Sequence, residues 1–147
     1  MDNFDVIMLD DWCDKHSLRW RLSDQQEPVV LAEGGYLYPY DDFAMGCTFY
    51  PSELSAESWQ YYITQSIKVG MTVVADGLYE SYLSFDPDNE KQSDLAIRIC
   101  GARQSRMTDG QREHLKKALW RIRKSRAAKE LASLQRERDW RLRMLFG

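Results

Sequence analysis

Basic residues are nearly missing from the first hundred positions, where 6 Lys or Arg stand against 18 Asp or Glu, a net of −12. The last 47 positions reverse the balance, with 14 bases against 5 acids, a net of +9. The formal charge of −3 for the 147-residue chain hides this asymmetry. A −12 segment repels phosphate, so any contact with nucleic acid is confined to the last third of the chain. A split of this kind points to a charged partner or an interaction tail.

Histidine and cysteine are scarce as well. Cys13, Cys47 and Cys100 form an odd, widely spaced set that suits buried thiols in a reducing compartment rather than a disulfide framework. Cys13 and His16 stand three apart with Asp10 and Asp11 nearby, a spacing that on a helix gives half a metal site or a thiolate–imidazole pair. A zinc site needs two more ligands, and only Cys47, Cys100 and His114 remain among the usual ones. Neither a metal nor a cofactor is expected. A small enzyme centred on Cys13 and His16 remains the alternative from the catalytic class.

No apolar stretch approaches the ~20 residues of a membrane span. The start, Met1-Asp2-Asn3-Phe4-Asp5, is acidic where a secretory signal would be basic. A cytoplasmic protein with no membrane partner is the expectation. Gly34-Gly35 lacks the pattern and the following lysine of a phosphate-binding loop and reads as a turn. Asp86, Asp88 and Glu90 open like a calcium loop, but Lys91 replaces its glycine and Ile97 its closing glutamate. Asp76 and Glu80 are two carboxylates among 23 and single out no acid–base pair. No small-molecule substrate is indicated.

What is present is a folding chain. Apolar residues make up 44%, with 5 Trp, 8 Tyr and 5 Phe, too apolar for a disordered polypeptide. A short helix is predicted around Leu9–His16. Leu18, Trp20 and Leu22 then alternate with arginines at the period of a half-buried strand. Ser23–Pro28 forms a hairpin loop into Val29-Val30-Leu31, Gly34-Gly35 turns into Tyr36–Tyr38, and another strand is expected at Cys47–Tyr50. Ser55 as N-cap, Leu54 as staple and Glu57 in the first turn open a helix with Trp59, Ile63 and Ile67 on one face, stopped by Gly70. Met71–Ala75 reads as a buried strand, and Tyr79–Phe85 and Leu95–Cys100 as further strands. The fold class is therefore α+β: an antiparallel or mixed sheet with one main packed helix in an acidic domain, residues 1–107, followed by a long basic helix, residues 108–147.

Thr108 and Gln111 fit a capping box for that helix, and no Gly or Pro follows until its end. Its apolar residues change face. Leu115, Ala118, Leu119 and Ile122 share one stripe, whereas Ala127, Leu131, Leu134 and Leu145 lie roughly 140° around the cylinder with Trp120. One straight helix cannot present both stripes to one surface. Either the helix breaks near Ser125, where no strong breaker stands, or, as expected, the first half packs on the sheet and the second meets another copy of the chain, another protein or an irregular part of its own domain. Arg121, Arg123, Lys124, Arg126 and Lys129 cluster where the stripes change over, as candidates for binding a partner or nucleic acid. They come without a ladder of Asn or Gln for base reading. The opposite possibility is that this +9 segment satisfies its charge on its own −12 body.

These readings converge on a non-enzymatic binding or regulatory protein that occupies the surface of a macromolecule. A protein of a nucleic-acid-handling machine, or a second copy of the chain, is the expected partner. Inhibitors carried by phages or mobile elements have this make-up. Nucleic acid held by the basic helix is the alternative. In a further version the acids Asp41, Asp42, Glu53 and Glu57 imitate phosphates and fill a basic groove.

Overall fold

A computed structural model describes residues 3–50, 56–77 and 79–146. Among them lie four helices and one six-stranded antiparallel sheet, so the α+β class holds. The expected N-cap Ser55, the staple Leu54 and the candidate Glu53 fall outside the described residues.

The chain opens with α1 (Phe4–His16), which begins five residues before the predicted start. Ser17 ends it in a left-handed turn, φ 55°, where the Leu18 N–H returns to the Cys13 carbonyl at 2.8 Å. The strands β1 (Arg21–Leu22), β2 (Pro28–Ala32), β3 (Gly35–Pro39) and β4 (Met45–Phe49) then run as a meander of hairpins. Asp41 shapes the β3–β4 turn, its Oδ1 accepting the N–H groups of Phe43 and Ala44 at 2.8 and 2.7 Å. After α2 (Ala56–Lys68) the chain turns at Gly70, φ 93°, into β5 (Thr72–Asp76) at the sheet edge. β6 (Ser81–Phe85) folds back between β5 and β4, which gives the order β1-β2-β3-β4-β6-β5. Two helices follow, α3 (Glu90–Cys100) and α4 (Asp109–Phe146).

Two local expectations are corrected. Residues 95–100 belong to α3 and are not a strand. Leu95, Ile97 and Ile99 alternate as a strand would, yet Leu95, Ala96, Ile99 and Cys100 are the buried set, the three-to-four spacing of a helix face. Asn89 caps that helix by accepting the Gln92 N–H. The Met71–Ala75 strand exists, shifted by one residue, but it is an exposed edge rather than a buried strand, with a bulge between Val73 and Ala75 that discourages further pairing.

Register places Val30, Leu37, Cys47 and Leu83 in one row, and Met45 with Phe85 in the next, all facing the helices. Trp12 of α1 lies 5.7 Å from the Phe85 ring, Cys100 of α3 puts its sulfur 3.2 Å from that of Cys47, and Trp59 of α2 donates to Ser81. Three helices thus cover one face of the sheet. The other face carries Tyr36, Thr48 and Tyr82 in one row, with Tyr38, Gly46 and Ser84 in the next. Gly46 is where the Tyr38 ring crosses the sheet, since a Cβ there would sit 2.5 Å from it. Gly35 has less freedom, because its Cβ would stand 2.0 Å from the Thr48 carbonyl oxygen and 2.9 Å from the Phe49 Cα, neither of which can swing aside.

Gly35→Ala is therefore expected to destabilise the protein by about 1–3 kcal/mol, the usual cost of overpacking. Gly46→Ala should cost less, because a side chain yields where a backbone does not. Urea unfolding of both variants checks the order.

Candidate interaction site

α4 begins with the predicted capping box: the Gln111 N–H donates to Thr108 Oγ1 at 3.2 Å, and Gln111 Oε1 accepts the Thr108 N–H at 3.0 Å. Its first half belongs to the body. Leu119 is fully buried in the common core, and Leu115 packs against it.

Charge then fastens this half. Asp10 of α1 is 2% exposed and accepts Trp20 Nε1 at 2.9 Å and the Arg112 guanidinium at 2.9 to 3.3 Å, with Lys116 Nζ 3.4 Å away. Burial alone would raise the Asp10 carboxyl. The hydrogen bonds from Arg112 and Trp20 and the positive charges outweigh that and hold it below its ordinary value. Two turns on, Arg123 grips Asp5 with bonds of 2.9 and 2.6 Å, and Asp5 is lowered in the same way against the pull of burial. Both arginines are held the more firmly protonated by these hydrogen bonds. Arg126 reaches Glu27 at 3.0 Å and the Gln25 carbonyl at 2.8 Å.

The five basic candidates therefore divide. Arg123 and Arg126 face the body and are engaged by its acids. Arg121, Lys124 and Lys129 are exposed and make no ion pair among the described residues. Of the assembly candidates, Ala127 is half-buried, whereas Leu131, Leu134 and Leu145 are 58%, 62% and 75% exposed. Trp140, Leu142, Met144 and Phe146 add to this exposed group, and from 133 to 146 every residue is exposed. Trp120, Leu131 and Leu142 recur at intervals of eleven, as do Leu134 and Leu145. An eleven-residue interval, 3.67 per turn, keeps a stripe nearly straight along the helix.

Asp41 spends one oxygen on its own turn, Asp42 and Glu57 are exposed, and Glu53 lies outside the described residues. Among the described residues, Asp41, Asp42 and Glu57 make no contact with one another that would join them into one site. Cys13 and His16 lie one helical turn apart on α1. Burial and the neighbouring Asp10 charge push the Cys13 thiol up, the reverse of what a nucleophile needs. Burial lowers His16, whose ring packs 5.0 Å from that of Trp12. Among the described residues no group of three His, Cys, Asp or Glu could hold a metal ion, and no helix is long and apolar enough to cross a membrane.

Sequence reasoning also passed over a cleft of about 530 Å³ at the β2–β3 side of the open sheet face. Tyr36, Tyr38 and Tyr50 form its aromatic wall, and Asp5, Asp24 and Glu27 supply acids at its rim. The Tyr36 ring lies 5.4 Å from Tyr38 and 6.5 Å from Tyr50. One signal for it was in the chain: positions 22–67 hold no Lys or Arg.

Compared with family models, curated proteins and solved structures, the chain matches none.

Arg112→Met leaves Asp10 buried without its main partner. It should cost about 3 kcal/mol, near the low end for a broken buried pair because Lys116 remains. Because Asp5 and Asp10 are lowered in the fold, the stability they supply is complete above the ordinary carboxylate value near ~4 and is lost as pH falls through the lowered one. Asp10→Asn keeps an acceptor for Trp20. It should be less stable than wild type at neutral pH and lose less on acidification, as thermal unfolding at a series of pH values would measure.

Proposed function

We propose that the chain is a non-enzymatic binding protein whose body holds the first half of α4 and offers the second half to a protein partner. The observation that carries this reading is the straight stripe of Leu131, Leu134, Leu142 and Leu145 on a stretch of helix with no buried residue. Apolar surface of that extent on an ordered element marks an interaction site. The charge distribution supports a protein over nucleic acid, because Arg112, Lys116, Arg123 and Arg126 are already neutralised by carboxylates of the body. A buried thiol pushed up at Cys13 weighs against the enzyme alternative.

Leu131→Glu with Leu134→Glu is the direct test. Both side chains are exposed, so unfolding of the body should change by less than about 0.5 kcal/mol. Affinity capture from cell extract, with and without nuclease, should give partners that survive nuclease with wild type and are missing with the variant. Capture that is unchanged in the variant, or abolished by nuclease, overturns the reading.

Nucleic acid remains the second reading because Arg121, Lys124 and Lys129 are exposed on one stretch of helix. It requires affinity for duplex that falls with salt at about −0.9 in logarithmic slope per neutralised phosphate. The expected result is negligible duplex binding at physiological salt. A steep slope flattened by changing those three residues to Ala would favour this reading instead.

A further inference from the structure

The helices leave one face of the sheet to its tyrosines, and the cleft there combines aromatic rings with acids. Tyr36, Tyr38 and Tyr50 form one wall, and Pro28, Val29 and Leu31 add apolar surface. Tyr38 accepts a hydrogen bond from Thr48 Oγ1, and Tyr82, in the next row, donates to Glu80. Burial raises the Tyr38 hydroxyl, so the phenol stays neutral. β2 to β6, with the turns and α2 between them, contribute one base, Lys68 on α2, while Arg21, opposite Val29 in the register, and Arg123 and Arg126, on the rim acids, flank the cleft.

The rim shows which charge it takes. Asp5 holds the Arg123 guanidinium, and Glu27 with the Gln25 carbonyl holds that of Arg126. Both guanidinium groups come from the chain's own α4, and neither arginine lines the cleft itself. Asp24, in the same loop, is exposed and makes no ion pair among the described residues. An arginine is planar, stacks on aromatic rings and pairs with carboxylates through several donors, so it matches a tyrosine wall beneath an acidic rim better than a lysine does. A volume of about 530 Å³ accommodates side chains of that size.

We propose that this tyrosine-walled cleft binds an arginine-rich segment of a partner protein, with a guanidinium stacked on Tyr36 and Tyr38 and paired with Asp24. Arg126, where α4 leaves the body, pairs with Glu27 at the rim, but Leu131, Leu134, Leu142 and Leu145 do not line the cleft, so the proposal stands or falls separately from the reading given above.

Fluorescence anisotropy of labelled hexa-arginine and hexalysine against the full-length protein tests it. Tyr36→Leu and Asp24→Asn should each weaken hexa-arginine binding about three- to tenfold. Asp94→Asn removes the same charge from α3 in the helical layer and should change it less than twofold. Hexa-arginine should bind more tightly than hexalysine. Asp24 lies in an exposed loop, so Asp24→Asn decides the matter alone if Tyr36→Leu does not fold. Equal effects of Asp24→Asn and Asp94→Asn, or equal affinity for the two peptides, would mean generic attraction to the acidic body and would sink the proposal. Sedimentation provides a further check. If the protein alone self-associates and Asp24→Asn disperses it, the occupant is a second copy and the assignment of a partner is wrong.

Discussion

Asp10 sits 2% exposed between α1, the chain leading into β1, and α4, and an isolated carboxylate in that position would be intolerable. It is tolerated because three side chains from two parts of the chain give it positive charge or hydrogen bonds at once: Trp20 from the approach to β1, Arg112 from the first turn of α4, and Lys116 one turn further along the same helix. Each donor is thereby fixed in place relative to the other two. Trp20 is itself a core residue, and Leu119 lies one turn beyond Lys116. The direction in which α4 leaves the body is thus set where the buried carboxylate meets its cations, and the apolar contacts follow that direction.

The charge asymmetry of the sequence takes on a physical sense from this arrangement. Acids at 5, 10, 14 and 27 meet bases at 112, 116, 123 and 126, so much of the polarity is spent within the molecule. These contacts stop at Arg126. Beyond it the helix contains Glu137 with Arg141 as a local pair, worth only a few tenths of a kcal/mol, and, apart from the half-buried Ala127 and Ala132, solvent-facing side chains. The same helix is a structural member of the fold in its first half and a presented surface in its second, with the changeover marked by the last ion pair to the body.

Much of this was legible in sequence. The hairpins, the capping box at Thr108, the glycine stop at Gly70 and the change of face along α4 follow from local rules of turn chemistry and periodicity. What failed did so for physical reasons. Six residues of alternating pattern at 95–100 fit strand and helix alike, and the decisive cap at Asn89 lay outside that window. Met71–Ala75 is apolar enough for a central strand, but its position at the edge depends on β6 inserting beside β4, a long-range pairing that no local pattern encodes. The pairing of Arg123 with Asp5 spans 118 residues, and the tyrosine wall assembles from β3 and the residue after β4. Residue counts register both as charge and aromatic content, but only tertiary structure brings them together.

The exposed half of α4 raises the question of what keeps it helical. A helix pays its main entropic cost at nucleation, after which each added residue contributes a hydrogen bond. In this chain nucleation is supplied by the capping box, the Asp10 cluster and the burial of Leu119 in the first half. The second half needs only propagation through Ala, Leu, Arg, Glu and Gln, all good helix formers. The 38 residues extend ~57 Å, far longer than the ~13 Å radius of gyration of a hundred-residue body. A partner that docks on Leu131, Leu134 and Leu142 therefore meets a preformed ridge and pays little ordering entropy. The cost falls on the free protein, which keeps large apolar side chains in water at the end of a lever. The body bears that cost because its acids anchor the base of the helix, which makes the Asp10 cluster a condition of the exposed ridge proposed to bind a partner as well as of the fold.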